Sequence, residues 1–544
     1  MKNQICTLTI DGYASDGDGV GRIDGRAVFV KGALRGETVE ARILKVGKAA
    51  AWAKTERVLV PSPARVEPDC PYFGKCGGCR LRHMTYDEEL VYKRQRVEDA
   101  LRRIGGFDVS VSEMLGAAQP ERYRNKVAFP ISRDPKNGVH VGFYRERSHD
   151  VIDIPSCRIQ SDQADKAGRI VRKWMHKYNI SAYDEGTLQG LMRHLLVRTN
   201  RRRELLICVV ANATHLPFEA ELVHDLTVGC PKTVGIVLNT NTADTNVILG
   251  SSYRTLWGTD HLEDRLCGLT FRLSVPSFFQ VNRDQAEVLY QKAVAFAGLT
   301  GAETVVDLYC GTGTITLAMA RQAKRAIGVE VVAPAIRDAK ENAARNGFDN
   351  VEFLCADAGE AARRLVKRGI HPDVICVDPP RKGLEGQVID AMAAMAPRRI
   401  VYVSCDPATL ARDLKLLGEK GYRLEDVAAV DMFPRTGHVE AVVQLSQQKP
   451  DDVIRVGLDL DELDITAAES KATYQEIKAY VKEQTGLSVS SLYIAQVKQK
   501  YGIIERENYN LSKSEDTRQP QCPPEKEKAI VEALRHFKMI EGSD

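Results

Sequence analysis

The chain has 544 residues, which is too long for one hydrophobic core and predicts three or four domains. Its hydrophobic content of 44% and charged content of 27% are typical of a water-soluble protein, and no apolar run approaches the ~20 residues that span a bilayer. The N-terminus, MKNQICTLTIDGY, lacks the apolar segment of a signal peptide. We therefore expect a cytoplasmic protein with no membrane contact, whose 13 cysteines are thiols, metal ligands or catalysts rather than disulfides.

Charge is distributed unevenly along the chain. Residues 450–544 hold 13 Lys and Arg against 18 Asp and Glu, a net charge of −5, so the preceding 449 residues carry +8 of the total of +3. A mildly basic body suits a polyanionic partner, although an ordinary solvated surface explains +8 nearly as well.

Residues 1–60 alternate apolar and polar residues between glycine turns, as in DGVGRIDGRAVFVKGALRGETVEARI. This pattern predicts short strands that close into a small barrel of the oligonucleotide-binding type. A proline-marked linker, PSPARVEP, follows and leads into CPYFGKCGGC. Three cysteines, Cys70, Cys76 and Cys79, lie within these ten residues, one thiolate short of a closed four-ligand site. From the spacing alone, zinc and an iron–sulfur cluster are equally compatible.

The central segment, up to residue 269, has a mixed helix and strand pattern. Two of its stretches are rich in arginine: ERYRNKVAF, with Arg122 and Arg124, and RTNRRREL, with Arg201, Arg202 and Arg203 at a predicted hairpin tip. Both stretches suit RNA phosphate contact, but a charged edge strand and a solvated turn explain them equally well.

Residues 303–446 alternate strand and helix, which predicts a mostly parallel sheet covered by helices. The first strand and turn, VVDLYCGTGTITLAMA, bring Gly311 and Gly313 to a helix N-terminus, where backbone passes close to a ligand. Glu330 ends the second strand, where it can accept hydrogen bonds from ribose hydroxyls, and Asp357 follows the third strand near the expected adenine. This order indicates S-adenosylmethionine rather than NAD as the cofactor.

The next two strands end in candidate catalytic residues. The fourth ends at Asp378-Pro379-Pro380, where paired prolines stiffen the loop, and the fifth, RIVYVSC, ends at Cys405 before a helix N-terminus that lowers thiol pKa. A thiolate that adds to C6 of uracil makes C5 nucleophilic, and a base must later remove the C5 proton. Glu440, in FPRTGHVE, is the candidate base. Alone, Cys405 is better explained as a core cysteine and Glu440 as a surface carboxylate; only their coincidence with the cofactor strands reverses this.

The C-terminal segment is acidic and its pattern is helical. TYQEIKAYVKEQTGLSVSSLYIAQVKQKYGI predicts a helix, a turn at Gly486 and a second helix, an arrangement that resembles a helix-turn-helix. A helical hairpin explains the pattern slightly better, because a net charge of −5 opposes phosphate binding.

Together, DLYCGTGTITLAMA, DPPRKG, SCDPATLARDL, FPRTGHVEAVVQL and SFFQVN resemble the signature segments of the RNA uracil-C5 methyltransferase family. The resemblance implies that Cys405 is the nucleophile and Glu440 the base. It implies that the cofactor or target base is contacted by Gln280, Tyr309, Glu330 and Asp378, with Thr314 and Asp357 as further cofactor contacts. Asp406 departs from the family, which often has asparagine at that position.

Residues 1–60 also resemble the TRAM domain of the branch that acts on ribosomal RNA. Members of that branch carry the three-cysteine segment and a lone downstream cysteine, so the resemblance implies a 4Fe-4S cluster held by Cys70, Cys76, Cys79 and Cys157. We expect a monomeric, multidomain α/β protein with four parts: the OB-like TRAM β-barrel (1–60), a mixed α+β RNA-binding domain with the cluster (61–269), a Rossmann-like methyltransferase domain (270–449) and a helical C-terminal extension (450–544).

The implied function is S-adenosylmethionine-dependent methylation of uridine C5 in 23S ribosomal RNA. One alternative is a transfer-RNA uracil-C5 methyltransferase, a branch that generally lacks both the barrel and the cysteine cluster. Another is a nucleic-acid-binding regulator that uses the C-terminal helix-turn-helix.

Overall fold

A computed structural model describes residues 2–134, 138–448, 474–501, 522–537 and 539–540. The chain forms two compact units, Met1–Asp451 and Asp452–Asp544. Within the described residues, no helix combines the length and the apolar character needed to cross a membrane.

The N-terminal residues form a closed five-stranded barrel, as the glycine-punctuated alternation predicts. Its strands run β1 (Ile5–Tyr13), β2 (Gly19–Ile23), β3 (Arg26–Lys31), β4 (Thr38–Val46) and β5 (Ala50–Val60), in the spatial order β1-β2-β3-β5-β4. Alternate side chains, among them Ile10, Val30 and Val39, fill the interior. Gly21 is required where β2 crosses β1, because a Cβ there would lie 2.3 Å from the Thr9 carbonyl oxygen.

The central part is built on a seven-stranded sheet in the order β13-β12-β11-β10-β7-β8-β9. Its strands are β7 (Lys126–Asp134), β8 (Gly138–Tyr144), β9 (Val151–Asp153), β10 (Met192–Thr199), β11 (Leu205–Ala211), β12 (Thr233–Thr240) and β13 (Ser252–Gly258). Two helices, α2 (Asp162–Lys177) and α3 (Glu219–Gly229), pack on it around the fully buried Trp174. A separate hairpin, β14 (His261–Leu266) and β15 (Leu269–Ser274), follows.

The C-terminal part of the first unit is an eight-stranded sheet in the order β18-β17-β16-β19-β20-β22-β21-β6. Its strands are β16 (Thr304–Leu308), β17 (Arg325–Glu330), β18 (Val351–Cys355), β19 (Val374–Val377), β20 (Arg399–Ser404), β21 (Tyr422–Val430) and β22 (Glu440–Gln447). The covering helices are α4 (Arg283–Ala297), α5 (Thr314–Ala320), α6 (Ala333–Arg345), α7 (Ala358–Lys367), α8 (Gly386–Ala394) and α9 (Pro407–Glu419). The five strands β16, β17, β18, β19 and β20 are parallel to one another, as the alternating pattern predicts.

An early segment of the chain completes this sheet. Helix α1 (Tyr86–Ala100), a π-helical turn over Leu101–Gly105 and strand β6 (Glu113–Leu115) precede the central sheet in sequence. However, β6 pairs with β21, and Val97 and Leu101 share a core with the helices of the C-terminal sheet. The first unit is therefore joined by buried contacts between segments more than 300 residues apart.

The described part of the second unit consists of α10 (Tyr474–Thr485), α11 (Ser491–Lys500) and α12 (Pro524–His536). Helices α10 and α11 are separated by a short turn in which Gly486 has a φ of 71°. Ile477, Ile494, Ile530 and Leu534 form their shared core. The rest of the predicted C-terminal extension, at 450–473, 502–521, 538 and 541–544, lies outside the described residues.

Candidate active site

Most of the predicted catalytic and cofactor-binding residues lie at one edge of the eight-stranded sheet. The carboxyl ends of parallel strands meet at the same edge, and ligands of open α/β sheets bind there. The residues that end or follow β18, β17, β16, β19 and β20 are, in that spatial order, Asp357, Glu330, Tyr309, Asp378 and Cys405. Glu440 begins β22, the next strand in the sheet.

Strand register brings Cys405 and Glu440 together. Strands β20 and β22 are antiparallel, with Ser404 opposite Ala441, so Cys405 and Glu440 are the next pair at the open edge. Glu440 is 3% exposed, whereas Cys405 is only partly buried. The thiol is thus accessible beside a carboxyl group that is withdrawn from water.

Burial, together with neighbouring carboxylates for Glu440 and Cys405, raises the pKa values of the ionisable groups at this edge. Burial and then the Asp378 carboxylate raise the pKa of Glu440 to about 8, while the Arg381 guanidinium lowers it. Burial raises the pKa of Asp378 to about 7. Burial, Glu440 and Asp378 raise the pKa of Cys405 to about 11, and Arg381 again opposes the shift. These directions contradict the prediction that the helix N-terminus leaves Cys405 with a lowered thiol pKa, because burial beside two carboxyl groups outweighs the helix dipole.

Asp406, the departure from the family pattern, has a structural role. Its carboxylate accepts hydrogen bonds from the backbone N–H groups of Ala408 (2.9 Å) and Thr409 (3.2 Å), which caps α9. The same carboxylate also raises the Cys405 pKa, by less than Arg381 lowers it.

Helix α9 also fixes the loop that follows Asp378. Buried Asp413 accepts the Leu384 backbone N–H at 2.7 Å, and Thr409 Oγ1 donates to the Arg381 carbonyl at 3.2 Å. Gly383 has a φ of 74°, and a Cβ there would lie 2.5 Å from Asp413 Oδ2. The helix that begins after Cys405 therefore holds Asp378 and Arg381 in place.

The predicted cofactor residues surround the glycine turn. Glu330 Oε2 accepts the Gly311 backbone N–H at 3.2 Å, and Oε1 accepts the Val332 N–H at 2.9 Å. Asp357 caps α7 by accepting the N–H groups of Gly359 and Glu360. Thr314 Oγ1 lies 3.0 Å from the hydroxyl of buried Tyr290. Tyr309 has a φ of 71°, an uncommon conformation for a non-glycine residue that is concentrated at functional sites.

Gln280 lies in a segment that is held by hydrogen bonds from residues of the central part of the chain. Asn125 Nδ2 donates to the Gln280 carbonyl at 2.8 Å, and Arg198, fully buried, donates to the carbonyls of Val275 and Ser277. Asn282 Nδ2 donates to the Met432 carbonyl at 3.1 Å. The segment thus links the central sheet to the loop that leads into Glu440.

The four predicted cluster cysteines line one cavity of about 130 Å³. Cys70, Cys76 and Cys79 enter it from the loop after the barrel, and Cys157 from the segment before α2, with Phe143 and Ile154 as apolar walls. The structure therefore joins the distant fourth cysteine to the other three. No group of three or more His, Cys, Asp or Glu side chains among the described residues is arranged to hold a metal ion.

Several residues of the site were not predicted. Arg381 places a cation beside Cys405 and Glu440, and Phe278 is 67% exposed two residues before Gln280. Asp307 is buried beneath the glycine turn and accepts the Thr316 hydroxyl at 2.5 Å; burial raises its pKa to about 7. The DPPR and SFFQ stretches contain the signal for Arg381 and Phe278, but only the fold shows which groups they face.

Family comparison agrees with this geometry. Residues 85–448 match the family described as tRNA (Uracil-5-)-methyltransferase, and residues 1–54 match the TRAM domain. A protein of Clostridium tetani named as an RNA methyltransferase is 48% identical over 446 residues, which cover 82% of this chain and 97% of that protein. One of Listeria innocua, also named as an RNA methyltransferase, is 46% identical over 447 residues, 82% of this chain and 98% of its own length.

A solved structure is similar over the same span. It is the tRNA (uracil-54, C5)-methyltransferase of Pyrococcus abyssi in complex with S-adenosyl-L-homocysteine. The two chains are 28% identical with a TM-score of 0.65, and the match covers 81% of this chain and 99% of that one.

Proposed function

The chain belongs to the tRNA (Uracil-5-)-methyltransferase family of S-adenosylmethionine-dependent RNA methyltransferases, and we propose that it methylates C5 of uridine in 23S ribosomal RNA through Cys405 and Glu440. The observation that carries the proposal is the register of β20 and β22, in which Cys405 and Glu440 directly follow the Ser404–Ala441 pair, at the edge where the cofactor residues also lie.

Each residue has a defined part in the proposed reaction. Cys405 Sγ, as thiolate, forms a bond to C6 of uracil, and the electron pair of the C5–C6 double bond moves toward C5. S-adenosylmethionine supplies the methyl group, which C5 takes as the bond to the sulfonium sulfur breaks. Glu440 then removes the C5 proton; the released electron pair restores the C5–C6 double bond and expels the Cys405 thiolate.

The electrostatics of the edge support these roles. A carboxyl group whose pKa is near 8 is suited to accept a proton and to return it at neutral pH. Arg381 favours the anionic forms of both Cys405 and Glu440. The exposed ring of Phe278, next to the Gln280 segment, offers a face on which an extruded base can stack.

The N-terminal barrel supports RNA as the partner. Register places Phe29, Trp52 and Lys45 in one row across β3, β5 and β4. A second row holds Lys31, Lys54 and Arg42, two residues along β3 and β5 and three along β4, where the register shifts. Trp52 is 41% exposed, its ring lies 5.9 Å from that of Phe29, and Lys45 lies over it. An aromatic row beside a basic row is the usual platform for single-stranded nucleic acid.

The cysteine cavity supports the proposed 4Fe-4S cluster. The donor set is four thiols, and all four cysteines line one space. The same lining contains apolar side chains, such as Phe143 and Ile154, and three arginines, Arg82, Arg124 and Arg158. Four irons bridged by sulfide hold their thiolates further apart than a single ion does, so cysteines spread around a cavity fit a cluster better than zinc. The cluster would be held by Cys70, Cys76, Cys79 and Cys157, where it would brace the loop against the central sheet.

Two RNA targets are distinguished by different features. The TRAM barrel and the four cysteines favour ribosomal RNA, whereas the similarity to the archaeal enzyme that acts on uridine 54 of transfer RNA favours a transfer RNA. Tritium release from 5-tritiated uridine tests the reaction, with 23S ribosomal RNA and transfer RNA as parallel substrates. Tritium release from 23S RNA alone supports the proposal. Release from transfer RNA alone would show that transfer RNA is the substrate, and no release from either RNA would contradict the proposed reaction.

A further inference from the structure

The three consecutive arginines at the hairpin between β10 and β11 do not share one environment. Arg201 and Arg203 line a cleft of about 420 Å³, whereas Arg202 is not among its lining residues and pairs with Glu204 at 3.0 Å. The cleft also contains Arg122 and Arg124, from the other arginine-rich stretch, and Arg283 at the start of α4. Two stretches about 80 residues apart in sequence thus contribute to one basic surface.

The lining of the cleft is suited to bind an anion. Five of the lining residues are arginines and one, Asp162, is acidic; Asn125, Thr199 and Asn200 add neutral polar groups. Two long helices begin at the cleft, α2 after Ser161 and α4 after Asn282. Their N-terminal dipoles add to the positive potential of the arginines.

Carboxylates hold most of these guanidinium groups in position. Arg203 pairs with Asp162 at 2.6 Å, Arg283 with Asp264 at 2.6 Å, and Arg201 with Glu287 at 3.0 Å. Arg124 instead lies over the rings of Tyr123 and Phe433, and its buried Nε has no hydrogen-bond partner among the described residues. Exposed ion pairs are worth little, so a phosphate can replace the carboxylates that pair with Arg201 and Arg203.

The cleft adjoins the candidate active site. Asn125, which lines the cleft, donates to the Gln280 carbonyl, and Arg124 faces Asn282 through backbone pairing. Phe433, beneath Arg124, belongs to the loop that leads into Glu440. The arginines therefore lie beside the segment that holds Gln280 and beside the loop that leads into Glu440.

We propose that this arginine cleft binds the phosphodiester groups of the RNA strand next to the target uridine. This inference rests on the proposed function, because the RNA strand bound in the cleft is the one whose uridine is methylated in the proposed reaction. It assigns Arg201 and Arg203 to phosphate contact and excludes Arg202, so the three single variants provide a comparison in which the change in net charge is matched.

The test compares Arg201→Gln/Arg203→Gln with Arg202→Gln in the full chain. Binding of a fluorescently labelled, uridine-containing single-stranded RNA is measured as a function of salt, without S-adenosylmethionine. We expect the double variant to bind roughly tenfold more weakly, with the slope of log K against log salt reduced by about 1.4, that is about 0.7 for each phosphate that an arginine no longer neutralises. Arg202→Gln should bind like the unmodified chain.

An equal loss of RNA affinity in Arg202→Gln and in either Arg201→Gln or Arg203→Gln would overturn the inference and indicate a diffuse charge effect. An unchanged salt dependence of binding in the double variant would also overturn it. Thermal unfolding of all four variants identifies misfolding; if the double variant is destabilised, the singles Arg201→Gln and Arg203→Gln replace it. Binding is measured without methyl transfer. The result for the arginine cleft can therefore be told apart from a failure of the proposed methylation, which the tritium-release assay detects.

Discussion

Lys93 Nζ lies 2.5 Å from Asp431 Oδ1, and both side chains are completely buried. The same ammonium group donates to Glu89 Oε1 at 2.7 Å and to the Phe433 carbonyl at 3.2 Å. Helix α1 is thereby tied to the loop that leads into Glu440. Arg435 in that loop contacts both Glu89 and Glu121, and Glu121 pairs with Arg82, close to Cys79. A continuous ionic network thus extends from the cysteine cavity to the loop that leads into Glu440.

Substitution Lys93→Met should lower the free energy of unfolding by about 3–5 kcal/mol, because it leaves buried Asp431 without its cation and leaves Glu89 paired only with Arg435 at 3.5 Å. Urea unfolding of the full chain measures the change. The matched control is Lys420→Met, which breaks the surface pair with Asp390 and should change stability by less than about 1 kcal/mol. Equal effects of the two substitutions would show that the buried network does not stabilise the fold.

Cys405 and Glu440 should have opposite effects on covalent complex formation. Cys405→Ala should form no denaturation-resistant RNA adduct, because the bond to C6 requires the thiolate. Glu440→Gln should accumulate the adduct and lower turnover by about 10²–10⁴-fold, because methylation proceeds but the C5 proton remains. Denaturing gel electrophoresis with labelled RNA measures both. An adduct in Cys405→Ala would overturn the assignment of the nucleophile.

The neighbours of Cys405 should shift its thiol titration in opposite directions. Glu440 raises the pKa of Cys405 and Arg381 lowers it. Glu440→Gln should therefore move alkylation of Cys405 to lower pH, and Arg381→Gln should move it to higher pH. Iodoacetamide labelling as a function of pH, followed by mass analysis of the Cys405 peptide, measures the shift. Movement of both variants in the same direction would contradict this arrangement of charges around the thiol.

Cys157→Ser should remove most of the iron and acid-labile sulfide from anaerobically purified protein, because a cluster that loses one of four thiolates is poorly held. Cys522→Ser, in the second unit, is the control and should retain both. Iron and zinc are measured together by elemental analysis. Stoichiometric zinc without iron in the unmodified protein would refute the cluster.

Trp52→Ala should weaken binding of single-stranded RNA by about 5- to 100-fold, which corresponds to the stacking of one base. Trp257→Ala is the matched control, because Trp257 is 42% exposed on β13, which belongs to the central sheet and not to the barrel. Fluorescence anisotropy measures both affinities, and turnover at saturating RNA should be unchanged in each variant. Equal RNA affinities of the two variants would show that the barrel face does not contribute to RNA binding.

Local signals in the sequence predicted much of the candidate site. The glycine turn, Glu330, Asp378 and Cys405 each follow or end an apolar strand, and parallel strands necessarily bring such positions to one edge. Arg381 was visible after the two prolines, but its effect on Cys405 and Glu440 depends on how α9 pins the loop through Asp413. The Lys93 network joins residues about 340 apart in sequence, and no local pattern encodes such a pairing.

The sequence by itself determined the barrel and the parallel sheet and made Cys405 and Glu440 candidates, because periodicity and strand-end motifs are local properties. The set of four cysteine ligands, with Cys157 as the fourth, came from the family resemblance and not from spacing. Tertiary structure alone decided that β6 completes the C-terminal sheet, and it placed Cys157 in one cavity with the loop of Cys70. It also decided that Arg201 and Arg203 enter the basic cleft whereas Arg202 does not. The physical reason is that burial, register and long-range ion pairing depend on which surfaces meet, and adjacent residues of the same type then acquire different environments.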